Sequence, residues 1–96
     1  MITVPVTLTA TAQSVASLVE DSLSSVDQAL VGDRDDFRMN ATIQALEANG
    51  SNVGIGSPTD QSGFIAAGGE ITINKMNLNR VYLVGDTLGV VIELAD

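Results

Sequence analysis

Residues 2–9 alternate apolar and polar without a break: Ile2, Val4, Val6 and Leu8 fall on one face, Thr3, Pro5, Thr7 and Thr9 on the other. A period of two predicts a half-buried strand. Pro5 has no N–H to give to a ladder, so the strand is expected at a sheet edge, or as an arm that leaves the body. From Thr11 the period changes. Val15, Leu18, Val19, Leu23, Val26 and Leu30 make one helical stripe, with Thr11 placed as an N-cap, Ser17 and Glu20 spaced as a capping box, and Gly32 as a C-terminal stop. The pattern predicts a helix over about residues 12–20 and a second helical piece near 25–30.

After the polar loop Asp33-Arg34-Asp35-Asp36 the alternation returns, with Phe37, Met39, Ala41, Ile43 and Ala45 on one face. Asn49-Gly50 then supplies two residues that tolerate positive φ, which predicts a type I′ hairpin whose return strand is residues 52–56. Residues 56–63 are a loop by composition. Phe64-Ile65, residues 71–74, residues 81–84 and residues 88–94 read as further strands, turned at Ala66-Ala67-Gly68-Gly69 and at Gly85-Asp86-Thr87. Leu88, Val90, Ile92 and Leu94 are expected to point inward. Six or seven short strands at close spacing, preceded by a helix, make a single domain over residues 1–96. Its fold class is mainly β: a small antiparallel β-sandwich or jelly-roll-like barrel with a short N-terminal helix.

Composition narrows the chemistry. The 96 residues include no His, no Cys and no Trp, so imidazole bases, thiolate nucleophiles and the common zinc sites are excluded. Four Lys and Arg against 12 Asp and Glu give a net charge of −8, which opposes both phosphate backbones and anionic membranes. Neither a nucleic-acid nor a membrane partner is expected. Residues 1–19 lack the cationic start of a signal peptide. With 45 % apolar and 17 % charged residues the chain is too apolar for a disordered one.

Candidate sites are few. Asp33, Asp35 and Asp36 offer hard oxygen ligands for a cation, but they lack the central Gly and distal Glu of a calcium loop. Gly54-Ile55-Gly56 lacks the third glycine and the following helix of a dinucleotide fingerprint, so the glycines are expected to permit close packing. Lys75 is the only lysine and has no nucleophile motif beside it; Asp86 and Glu93 are the carboxylates that a glycosidase-like pair would need. Asn40-Ala41-Thr42 matches a glycosylation sequon that falls within a strand. No catalytic residue, cofactor or metal is assigned, and the protein is expected not to be an enzyme. The strongest interaction feature is the N-terminal row, with Ile2, Val4, Pro5, Val6 and Leu8 as the candidate subunit interface through strand addition to a neighbour. The alternative is that the same row packs on its own core.

Residues 6–18, Asn52-Val53-Gly54-Ile55-Gly56, residues 63–70 and Val81-Tyr82-Leu83-Val84-Gly85 follow one another in an order that resembles small structural proteins of tailed-phage virions. Head decoration (cement) proteins and related head or tail accessory β domains are the families concerned. The resemblance implies a homo-oligomer, commonly a trimer, on the outer capsid surface, assembled in the host cytoplasm and tying major capsid protein subunits together. A second expectation is a host-receptor or glycan-binding accessory domain of a head fibre, neck or tail, using the loops at 33–36 and 56–63.

Overall fold

The structure is a computed structural model that describes residues 2–22 and 40–95. Its elements in order are β1 (Ile2–Thr7), β2 (Gln13–Ser14), α1 (Val15–Ser22), β3 (Asn40–Ala45), β4 (Val53–Gly56), β5 (Gly63–Ile65), β6 (Glu70–Ile73), β7 (Tyr82–Val84) and β8 (Gly89–Ala95). They form two four-stranded antiparallel sheets, ordered β1-β8-β3-β6 and β2-β7-β4-β5. The described residues are therefore mainly β with one short helix, as the alternation implies. Among the described residues eight strands are present where six or seven were expected, because Gln13–Ser14 pairs briefly with β7.

The alternation is read out directly as inside and outside. Val90, Ile92 and Leu94 on β8 and Ala41, Ile43 and Ala45 on β3 are buried, and they meet Val53, Ile65 and Leu83 of the other sheet. Leu88, just ahead of β8, is buried as well. No polar or charged side chain is buried among the described residues. The outer face of the first sheet is mostly polar: Thr3, Glu93, Thr42 and Thr72 lie in one row across all four strands, and Pro5, Val91, Gln44 and Glu70 in the next. The hydroxyls of Thr42 and Thr72 lie 3.3 Å apart along that row.

One local expectation is corrected, and two expected turns form. Asn49-Gly50 does not close a hairpin, since β3 and β4 lie in different sheets and Gly50 is not among the glycines with positive φ. Both strands carry an apolar face, and they bury those faces against each other through the core instead of pairing side by side. The Gly85-Asp86-Thr87 turn forms, with Leu88 N–H donating to the Gly85 carbonyl, yet it too carries the chain from one sheet to the other. The turn at residues 66–69 does the same, closed by Gly69 N–H on the Ala66 carbonyl with Gly68 at φ 80°. Among the described residues the one hairpin of sequential strands joins β4 to β5.

The helix begins later than its pattern suggested. Ser14, not Thr11, is the N-cap: its hydroxyl accepts from Ser17 N–H at 3.1 Å. Two other helix-start N–H groups, which have no intrahelical acceptor, are met by the loop before β7, Val15 donating to Val81 O and Ala16 to Leu78 O. Val15, Ala16, Leu18 and Val19 are buried. The helical piece near 25–30, the Gly32 stop, the Asp33–Asp36 loop and the start of the Phe37 alternation lie outside the described residues.

Candidate interaction surface

β1 is an edge strand, as Pro5 requires. It pairs along its length with β8, from Ile2 opposite Leu94 to Thr7 opposite Gly89. Leu8 continues the pairing by donating its N–H to Leu88 O at 2.8 Å. Antiparallel residues alternate between those that bond to the partner strand and those that face away. The bond at Leu8 therefore turns Val6 and Val4 toward β8 and Thr3, Pro5 and Thr7 toward the open side. Pro5 removes the middle donor from that open edge, a device that discourages further strands. Of the interface residues singled out from the sequence, Val4 and Leu8 are buried in the chain's own core and Val6 packs against it. Pro5 is exposed on the outer face.

The opposite edge of the same sheet is β6. Ala45 N–H donates to Gly69 O at 2.9 Å, so by the same alternation residues 71 and 73 bond to β3, while the backbone groups of Glu70 and Thr72 face outward. No described strand pairs there. Glu70, Ile71 and Thr72 are exposed, and no proline interrupts the strand.

Beside this edge lies an open apolar groove of about 290 Å³ between the sheets, walled by Ile55, Ile71, Ile73, Met76 and Val81, with Arg80 also lining it. Met76 is 54 % exposed. Lys75 and Arg80, both in the connection from β6 to β7, are the only basic residues in the described part of a strongly acidic chain. Lys75 has φ 53°, and its N–H donates to Asn40 Oδ1 at 3.1 Å, which pins the connection to the start of β3. The lysine and the sequon asparagine thus meet in one structural contact. Neither was legible from the sequence as a pair, because 35 residues separate them.

On the outer face of the second sheet Phe64 stands 66 % exposed, opposite Gly54. Loop 57–62 is bound up by its own side chains: Ser57 Oγ accepts from Asp60 N–H, Gln61 Nε2 donates to Ser57 O at 2.7 Å, and Ser62 N–H donates to Asp60 Oδ1. The loop lies so close to β4 that a Cβ on Gly56 would run into the Asp60 carbonyl, and on the neighbouring strand β7 Val84 Cγ1 would sit 2.6 Å from a Cβ on Gly54. Close packing is what these two glycines provide, and β4 leads to a strand, with no helix for a nucleotide phosphate.

The candidate carboxylates are not brought together. Asp86 is in the turn before β8, and Glu93 faces outward four strand steps beyond Gly89, about 13 Å along the chain. Among the described residues no group of three or more acidic side chains is placed to hold a metal, and no helix is long and apolar enough to cross a membrane. Compared with protein-family models, curated proteins and solved structures, the chain matches none of them.

Proposed function

We propose that this chain is a structural subunit that works by covering and joining protein surfaces, and specifically a virion decoration protein that bridges major capsid subunits on the outer head of a tailed phage. The observation that carries the joining role is the apolar groove with exposed Ile71 and Met76 beside a sheet edge that no described strand pairs. Contiguous exposed apolar surface of this kind marks sites of protein contact. The capsid assignment rests on the resemblance of the strand and turn order to cement proteins. Its mechanism is area. Apolar burial contributes roughly 25 cal/mol per Å², so about 1,600 Å² of contact to several neighbours outweighs the cost of association and resists their separation.

The test is an antiserum to the purified protein applied to density-banded phage particles from the source host. A band at a fixed ratio to the major shell subunit, lost together with capsid heat resistance when the gene is deleted, is the expected result. Absence from the particles overturns the proposal. A second reading, recognition of a host receptor or glycan, is favoured by Phe64 standing exposed beside the ordered loop 57–62. Host-cell or glycan-array binding that Phe64→Ala abolishes would select it.

A further inference from the structure

The first sheet has two edges, and they are treated oppositely. The β1 edge has Pro5 at its centre, whereas the β6 edge presents the outward backbone groups of Glu70 and Thr72 with no proline, no buried charge and no described neighbour. An edge left open is a template for another strand. The charge distribution says which strand. A chain of net charge −8 repels its own copies, yet this edge is flanked by the only two cations of the described residues, Lys75 and Arg80. Among the described residues, these two cations offset the acidic charge at this edge.

We propose that β6 is the edge through which two copies of this chain associate, strand against strand, antiparallel about a twofold axis. Thr72 then lies opposite Thr72 of the second copy, the position at which outward N–H and C=O groups exchange two hydrogen bonds. In this register Ile71 of each copy meets Ile73 of the other on the inner face, which covers the exposed Ile71 and joins the two grooves. Glu70 of each copy comes alongside Asn74 and Lys75 of the other, so the ends of the paired strands are complementary in charge. Like edges pair in twos. The association is a dimer, or an even-numbered assembly built from dimers, and it stands apart from the virion proposal, whose family resemblance implies a trimer.

The experiment is molar mass by light scattering across a concentration series, for the full chain and for Thr72→Lys, Glu70→Lys, Lys75→Glu and the double reversal. The parent chain is expected to dimerise with rising concentration. Thr72→Lys, an exposed position that leaves the monomer fold intact by circular dichroism, sets two lysines face to face and raises the association midpoint by about tenfold or more. Glu70→Lys and Lys75→Glu each weaken the dimer, and together they restore it, a rescue that a merely structural role would not give. A parent chain that stays monomeric, or a trimer indifferent to Thr72→Lys, overturns the β6 pairing while leaving the virion proposal standing. A dimer that behaves as described, in a protein absent from particles, supports the pairing and removes the virion role.

Discussion

The side-chain amide of Asn49 holds both backbone groups of Gly89: Nδ2 donates to the Gly89 carbonyl at 2.9 Å, and the Gly89 N–H donates to Oδ1 at 2.9 Å. In a continued ladder Gly89 would exchange these bonds with Leu46. Leu46 N–H does reach Gly89 O at 3.2 Å, but its carbonyl is taken by Asn49 N–H, where the chain turns out of the sheet. The asparagine thus stands in for a strand neighbour at the start of β8, and the chain is released to cross the core into β4.

Asn49→Asp tests that role with almost no change of shape. A carboxylate still accepts from Gly89 N–H but turns a second acceptor toward the Gly89 carbonyl. The expected loss is about 1–2 kcal/mol, since one hydrogen bond is replaced by two facing acceptors. In a domain of this size that lowers the melting temperature by roughly 5–15 °C, measurable by differential scanning calorimetry.

Gly50 should be indifferent to the same assay. Nothing lies within 4 Å of a Cβ built there, and its φ is not positive. Gly50→Ala is expected to leave stability unchanged or to raise it by about 0.4–1 kcal/mol through the unfolded state. A type I′ hairpin would instead be destabilised. Gly56→Ala, by contrast, drives a methyl group into the Asp60 carbonyl and should detach loop 57–62, with increased proteolysis between residues 57 and 62 as its signature.

Thr87 carries a β-branched side chain at φ 62°. The conformation is held by Thr87 N–H on Leu8 O at 3.1 Å and by the Gly85–Leu88 turn bond. Left-handed backbone costs a residue with a Cβ about 1–2 kcal/mol, and glycine escapes that cost. Thr87→Gly is therefore expected to stabilise the fold by about 0.5–1 kcal/mol in urea denaturation. A loss of stability would mean that the Thr87 hydroxyl, which donates to Asp86 O at 2.6 Å, matters more than the strain.

β1 belongs to the core of its own chain in this structure, and two substitutions one residue apart measure it. Leu8→Ala empties a fully enclosed site and should cost about 2–5 kcal/mol, while Thr7→Ala on the outer face should stay within about 0.5 kcal/mol. Deleting residues 2–8 removes Val4 and Leu8 together and bares one side of β8. The truncated chain is expected to lose its cooperative unfolding transition, read by circular dichroism. If it stays folded and only its molar mass falls, β1 is an exchangeable arm.

The sequence by itself determined which residues face inward. Alternation at period two placed Val90, Ile92 and Leu94 in the core, and the helical stripe placed Val15, Leu18 and Val19 there, because burial of apolar side chains acts on each residue wherever the strand is docked. Pro5 likewise fixed β1 at an edge through its own missing donor. Tertiary structure alone decided which strands are neighbours. Asn49-Gly50 and Gly85-Asp86-Thr87 carry turn chemistry, but a turn sets only a local reversal; whether the next strand pairs beside the last or crosses to the facing sheet depends on where apolar faces can be closed off. Long-range partners decided the rest. The helix starts at Val15, capped by Ser14 and not by Thr11, because Val81 and Leu78, more than 60 residues away, supply the carbonyls its N–H groups need. The same holds for the β6 edge. Its strand pattern is legible in Ile71-Thr72-Ile73, but only the order of the assembled sheet leaves one side of it without a described partner.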